Sequence, residues 1–145
     1  MNHPFIAENA KERERLRILV DRLADEELRL PIGNDWTVAI AFAHMAFWDR
    51  RSLFLLRKWQ KSGVVEPSPI DIELTNDALL STWMAIPPRT AAKLAVSSAE
   101  EIDQELEKIS SVLAAKIESI GEKNRLYRSV HRKFHIDEIE SLLNK

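Results

Sequence analysis

RLYRSVHRKFHIDEIESLL, residues 125–143, contains two of the four histidines of the chain, His131 and His135, one helical turn apart. Side chains four residues apart in an α-helix project from the same face, so both imidazoles can reach one ion. A third histidine, His44, lies on an earlier amphipathic segment. A fold that packs the two segments face to face would complete a three-histidine metal site. The fourth histidine, His3, lies in the N-terminal tail and is not expected to take part.

The composition is typical of one globular, mostly helical domain. The chain has 145 residues, of which 45% are hydrophobic and 30% charged, and only three are glycine. Ala, Leu, Glu, Lys and Arg, which are abundant here, all favour helix. We therefore expect a single domain that spans residues 1–145.

Several classes of function lose their usual support. The net charge is −2 and basic residues are interleaved with acidic ones, so no nucleic-acid partner is expected. The absence of cysteine excludes disulfides, thiolate ligands and a cysteine nucleophile. The N-terminus does not resemble a signal peptide, and the longest apolar stretch, residues 38–48, is shorter than a membrane span. A cytoplasmic protein without a membrane partner is predicted, and motifs of nucleotide-binding proteins and serine hydrolases are absent.

Periodicity and capping signals predict two long helices in the first part of the chain. The first covers residues 5–30 and is ended by Pro31 and Gly33. Thr37 is a suitable N-cap for the second helix, which runs to about Lys61. The apolar stripe of the first helix consists of Leu16, Leu19, Val20, Leu23 and Leu30.

A long connection follows at residues 62–88, where turn and proline signals flank a short helix at 76–85 that Thr75 could cap. Two further helices complete the pattern. The third opens at Pro87 and Pro88 and continues as a short helical segment at residues 110–120. The core stripe of this helix consists of Ala95, Ala99, Ile102, Leu106 and Ile109.

The last helix is predicted to run from about Glu122 to Leu143. Four long helices with one long connection predict an all-α, four-helix bundle with a crossover. The second helix is apolar nearly all round, with Phe42, Ala46 and Leu53 opposite His44. Such a helix is buried either under the middle segment or against a second subunit, and the latter alternative predicts a homodimer.

Polar residues gather on one side of the last helix. Burying them costs free energy unless they are paired, so the cluster calls for a partner such as a metal ion. Helical spacing places on this inward side Asn124, Tyr127, Arg128, His131, His135, Glu138 and Leu142. It directs Lys133, Ile136 and Glu140 away from it.

Three charged residues are candidates for roles around the ion. Glu138 could accept a hydrogen bond from an imidazole and fix its tautomer, or form an ordinary salt bridge. Arg51 and Arg128 could bind an anionic substrate through bidentate hydrogen bonds, or pair with Glu138 or Asp49, and we favour pairing.

Aromatic side chains also lie close to the histidines in sequence. Trp48 is one turn beyond His44 and Tyr127 one turn before His131, so both could line a pocket. Core packing is the preferred role for Trp48. It is also the preferred role for the other tryptophans, Trp36, Trp59 and Trp83.

Two segments together resemble the DinB/YfiT-like superfamily: WTVAIAFAHMAFWDR, residues 36–50, and SVHRKFHIDEIESLL, residues 129–143. This superfamily includes the N-terminal domain of mycothiol-dependent maleylpyruvate isomerases. The resemblance covers nearly the whole chain. It implies a commonly dimeric four-helix bundle in which His44, His131 and His135 bind one divalent metal ion. Characterised members of that superfamily are thiol-dependent transferases or isomerases.

Three functions remain open at this point. Three imidazoles leave at least one coordination position free, as catalytic ions require, and zinc or nickel suits such ligands. The first function is a metal-dependent transferase or isomerase that uses a low-molecular-weight thiol. The second is a metal-dependent hydrolase, and the third is a dimeric structural or ligand-binding protein whose metal only joins helices.

Overall fold

The computed structural model describes residues 3–144, which are mostly helical and form an all-α fold with one small sheet. The helices are α1 (Pro4–Arg22), α2 (Asp25–Leu28), α3 (Val38–Ser62), α4 (Ile72–Ala85), α5 (Pro88–Glu107), α6 (Ser111–Ser119) and α7 (Ser129–Leu143). The short strands β1 (Pro31–Gly33) and β2 (Trp36–Thr37) pair antiparallel, and a 3₁₀ turn covers Lys123–Arg125. Within this part of the chain, every helix is too short or too polar to cross a membrane.

The four longest of these packed helices surround the core. Helix α3 packs against α5 and α7, α1 packs against α5 and α7, and α4 lies on α3. The predicted core stripe of the third helix is confirmed, because all of its members are buried: Ala95, Ala99, Ile102, Leu106 and Ile109. This arrangement brings the middle of α3 beside the first half of α7.

The predicted first helix is too long at its C-terminal end. Helix α1 ends at Arg22, and Leu23 is extended, with φ −69° and ψ 128°. The bend lets both Leu23 and Leu28 reach the core, whereas Leu30, predicted to be in the apolar stripe, is exposed. Arg89 of α5 stabilises this end by donating hydrogen bonds to the carbonyls of Val20 and Leu23. A distant side chain therefore ends the helix before Pro31 does.

Helix α3 begins as predicted. The Thr37 hydroxyl accepts a hydrogen bond from the Ile40 N–H at 3.2 Å. The N-terminal half of α3 is buried nearly all round within one chain, and Phe42, Ala46 and Leu53 are all buried. Helix α5 packs along α3 more extensively than α4 of the middle segment does, so the helix is covered mainly by α5 rather than by the middle segment suggested from the sequence.

The short helix of the long connection is longer than predicted. Helix α4 begins at Ile72, and Asp71 rather than Thr75 caps it by accepting from the Leu74 N–H at 3.0 Å. The third helix opens at Pro88 as predicted, with Pro87 as its N-cap.

The last helix is shorter than predicted, because α7 begins at Ser129 rather than near Glu122. Asn124, Tyr127 and Arg128 therefore precede the helix, so helical spacing does not determine where their side chains point.

The predicted outward face of the last helix is also partly wrong. Ile136 is fully buried in the apolar core that includes Leu16 and Leu19 of α1. Glu140 is half-buried and accepts a hydrogen bond from Arg15 of α1, while Lys133 is exposed as predicted. Helix α7 has this second buried side because α1 packs against it.

Candidate metal centre

Three histidines meet between α3 and α7. One ring nitrogen each from His44, His131 and His135 lies within 4.8 Å of the others, and this group could hold a metal ion. His44 and His135 are buried and His131 is half-buried. The remaining histidine, His3, stacks on Phe5 at the start of α1 and does not belong to the group.

The distance between the imidazoles fits a shared ion. The Nε2 atoms of His44 and His131 are 3.0 Å apart. Two nitrogens bound to one ion at about 2.0–2.1 Å, with an angle of about 90–109° at the ion, lie about 2.8–3.4 Å apart. The donor set therefore suits a divalent ion that accepts imidazole nitrogen.

The other ring nitrogen of His44 faces away from the cluster. His44 Nδ1 is buried and has no hydrogen-bond partner among the described residues. The Asn76 amide is close enough to favour protonation of His44, but its oxygen accepts from Trp48 Nε1 at 2.9 Å. Because a buried polar atom without a partner is costly, this ring position is held by the packing around it rather than by its own hydrogen bond.

Burial keeps all three imidazoles neutral. It lowers the pKa of His44 to about 3, with repulsion by His135 and Arg128 adding to the effect. Burial, followed by repulsion from Arg128, also lowers the pKa of His131 well below its ordinary value. The pKa of His135 is lowered by burial as well, although Glu138 opposes the shift. Neutral imidazole is the form that binds a metal ion.

Glu138 orients His135 from the side opposite the cluster. Its Oε1 lies 3.3 Å from His135 Nδ1, which leaves Nε2 free for an ion. A carboxylate in this position fixes the tautomer of a ligating histidine and increases its basicity. The predicted contact between Glu138 and an imidazole is thus present.

Three tryptophans surround His44. Trp36, Trp83 and Trp48 lie with ring centroids 4.7, 5.4 and 6.4 Å from its imidazole. Trp83 and Trp48 are buried, in agreement with the predicted core role, while Trp36 is half-buried. Their common contact with His44 was not predicted, because it depends on how α4 and the β1–β2 hairpin pack on α3.

The predicted arginines have different surroundings. Arg128 donates to Asp49 at 2.7 Å, so the predicted pairing with Asp49 is confirmed. Arg51 donates to the carbonyl and hydroxyl oxygens of Ser68 at 3.0 and 2.9 Å. Arg51 therefore holds the connection before α4 onto α3 instead of facing the histidines.

Sequence reasoning missed a buried ionic network next to the histidines. Arg132 donates to Asp103 at 2.8 Å and to Asp49 at 3.4 Å, and Arg13 donates to Asp103 at 2.6 Å. The network joins α1, α3, α5 and α7. The sequence contained one sign of this network, because Asp49 on α3 and Asp103 on α5 occupy positions among apolar core residues. Helical spacing alone does not show which residue of a distant segment pairs with them.

A pocket of about 470 Å³ opens beside the histidines. Trp48, Tyr127 and Arg128, for which a place in a pocket was one of the alternatives, line it, whereas Arg51 and Glu138 do not. Its lining consists of His44, Trp48, Ile72, Gly121, Glu122, Asn124, Arg125, Tyr127, Arg128, Val130, His131, Phe134 and His135. All three imidazoles therefore face a space large enough for a small molecule.

Comparisons with protein-family models, curated proteins and solved structures found no match to this chain.

Proposed function

We propose that this protein is a metal-dependent enzyme of the DinB/YfiT-like kind, a four-helix bundle that binds one divalent ion, zinc or nickel, through His44, His131 and His135. The observation that carries the proposal is that all three imidazoles line one pocket of about 470 Å³. An ion held there would keep coordination positions directed at the pocket, as expected of a catalytic rather than a purely structural ion.

The contact between Glu138 and His135 also favours a metal site with free coordination positions. A fourth protein ligand would close the coordination shell and favour a structural role. Glu138, the acidic candidate named from the sequence, contacts His135 through Nδ1, at 3.3 Å, and does not line the pocket. Glu122 lines the pocket but pairs with Arg125. Glu138 supports the histidine and leaves the pocket side of the cluster to water or substrate.

When bound, such an ion would lower the pKa of a thiol or a water molecule and so supply a nucleophile near neutral pH. The residues of the chain would hold and shield the reactants. Arg128, which pairs with Asp49, also lines the pocket, where it can orient an anionic group. Trp48 forms part of the pocket wall beside His44.

We further propose that the nucleophile is an external low-molecular-weight thiol, so that the reaction is a thiol-dependent transfer or isomerisation. The chain has no cysteine of its own, so sulfur chemistry requires a thiol from outside. The dimensions of the pocket are compatible with such a molecule. The resemblance of residues 36–50 and 129–143 to a superfamily with thiol-dependent members supports the same reaction class.

Metal analysis of the purified protein tests the site. We expect about one divalent ion per chain, retained by the His3→Ala variant and lost from His44→Ala, His131→Ala and His135→Ala. His3 is a matched control because it is ordered but lies outside the cluster. Retention of the ion in all four variants would reject the ligand assignment.

Cobalt substitution tests the reaction class. Sulfur coordination to cobalt produces charge-transfer absorption that water does not produce. Cobalt-loaded protein is titrated with mycothiol, bacillithiol and glutathione, and the His131→Ala variant serves as control. New absorption in the unmodified protein alone supports thiol dependence, whereas an unchanged spectrum with all three thiols rejects it in favour of a hydrolase or a structural protein.

The resemblance also leads us to propose a homodimer. Light scattering at micromolar concentration measures it directly. A mass of 16.7 kDa, that of one chain, would reject the dimer and leave the metal site unaffected.

A further inference from the structure

The mouth of the pocket is formed by exposed apolar side chains. Ile72 at the start of α4, and Val130 and Phe134 on α7, line the pocket and are 57%, 58% and 65% exposed. Val130 and Phe134 are one helical turn apart, so they form one continuous surface beside the histidines. We name these three residues the apolar rim. Side chains of this kind gain free energy when a ligand covers them.

The floor of the same pocket is buried and polar. His44 and Arg128 are 6% and 3% exposed. The pocket thus changes over a short distance from exposed apolar side chains at its mouth to buried imidazole and guanidinium groups at its floor. A ligand that fits both parts has an apolar body and a polar end.

The charges around the floor select the sign of that polar end. The network behind Arg128 contains three guanidinium groups, of Arg13, Arg128 and Arg132, and two carboxylates, of Asp49 and Asp103. Its one excess positive charge is balanced by the carboxylate of Glu138, which lies 3.3 Å from His135 Nδ1. The other two ionic residues of the lining, Arg125 and Glu122, pair with each other at 3.1 Å. A divalent ion on the three histidines would therefore make the floor positive.

We propose that the substrates of this site are small amphiphilic carboxylates, whose anionic end lies at the floor and whose apolar body covers the rim. This inference rests on the proposed function for the role of the ion and names the class of molecule on which that function acts. The pocket volume of about 470 Å³ lies within the usual range for small-molecule sites.

A small ligand accounts for the pocket better than a second copy of the chain does. A flat protein surface laid on the rim would bury Phe134 but would also seal the floor, leaving a bound divalent ion and the buried ring nitrogens without water or a ligand. Sealing unpaired charge away from water is costly. A carboxylate with an apolar body satisfies the rim and the floor together.

Calorimetric titration with unbranched carboxylates tests the proposal. Metal-loaded and metal-free protein are each titrated with butanoate, hexanoate and octanoate. We expect the affinity to rise by about two- to fourfold for each methylene group that the rim covers. In the metal-loaded protein, octanoate should bind at least about tenfold more tightly than octanol or octylamine, because the ion makes the floor positive.

Two serine variants identify the surface responsible. Phe134→Ser should weaken octanoate binding by about tenfold and flatten the dependence on chain length. Phe54→Ser is the matched control, because Phe54 is similarly exposed at 56% but lies on α3 outside the pocket. It should leave octanoate affinity unchanged.

The outcomes separate this inference from the metal assignment. An affinity independent of chain length, or equal binding of octanoate and octylamine, would overturn the inference even in protein that holds its ion. A change in molecular mass caused by Phe134→Ser but not by Phe54→Ser would also overturn it, because the rim would then be a subunit interface. Chain-length dependence that persists in metal-free protein supports the apolar rim even if the ion assignment fails.

Discussion

Helix α7 contributes neighbouring residues to two buried polar clusters that differ in how they are satisfied. Arg132 belongs to the ionic network and finds carboxylates of Asp49 and Asp103 within the chain. Burial acts to lower the pKa of Arg132, but attraction by these two carboxylates outweighs burial and raises it. His131, the preceding residue, faces His44 at 3.0 Å, and burial and nearby guanidinium groups lower its pKa.

The two clusters differ in where their polar groups find partners. The ionic network supplies its own counter-charges, and Arg132 Nε is its one buried donor without a partner among the described residues. The histidine cluster brings three imidazoles to a pocket and could hold a metal ion. We therefore expect the network to determine stability in every condition and the histidines to add stability only when an ion is present.

The largest effect is expected from breaking the network. Asp103→Ala leaves Arg132 and Arg13 without their carboxylate in the interior. Removing one partner of a buried ion pair costs about 3–5 kcal/mol. Urea unfolding followed by circular dichroism measures it, and Asp103→Asn, which keeps an acceptor, should lose less. A loss below about 1 kcal/mol for Asp103→Ala would contradict a structural role for the network.

Removal of the ion should have the next largest effect. At a free metal concentration one hundred times the dissociation constant, binding stabilises the folded state by about 2.7 kcal/mol. A chelator should therefore reduce the free energy of unfolding of the unmodified protein by this amount and leave His131→Ala unchanged. Equal reductions in both proteins would show that the histidines do not mediate the stabilisation.

Glu138 is expected to strengthen metal binding by the histidine cluster. Glu138→Gln removes the carboxylate that lies 3.3 Å from His135 Nδ1. Loss of such a partner weakens metal binding by about 10- to 100-fold. Competition with a chromogenic chelator measures the affinity. The control Glu140→Gln, which changes a contact with Arg15 of α1 instead, should keep the affinity of the unmodified protein.

The smallest effect is expected at an exposed ion pair. Arg50 and Glu101 join α3 and α5 at 3.2 Å, with side chains 45% and 46% exposed. Exposed pairs contribute about 0–1 kcal/mol because water and salt screen them. Glu101→Ala should therefore change the free energy of unfolding by less than about 1 kcal/mol, although the truncation is on α5, as in Asp103→Ala. A loss of stability as large as that caused by Asp103→Ala would mean that burial does not determine how much an ion pair contributes to the free energy of unfolding.

Sequence patterns were most reliable where a local signal fixes the structure. Thr37 is the N-cap of α3, and Pro88 opens α5, because capping and the fixed φ of proline act within a few residues. They failed where a distant side chain contacts the end of a helix or where a turn was not recognised. Arg89 holds the end of α1, and the turn before α7 removes Tyr127 and Arg128 from the helix to which spacing assigned them.

Helical periodicity was enough to predict that most of the described chain is helical and that His131 and His135 share a helical face. The meeting of His44 with these two histidines, the three tryptophans around His44 and the pairing of Arg132 with Asp49 and Asp103 became visible only in the packed fold. These contacts join residues far apart in the chain, and their distances depend on how whole helices pack. Helical spacing gives the direction of a side chain on its own helix, whereas the partner it meets is set by the packing of the core.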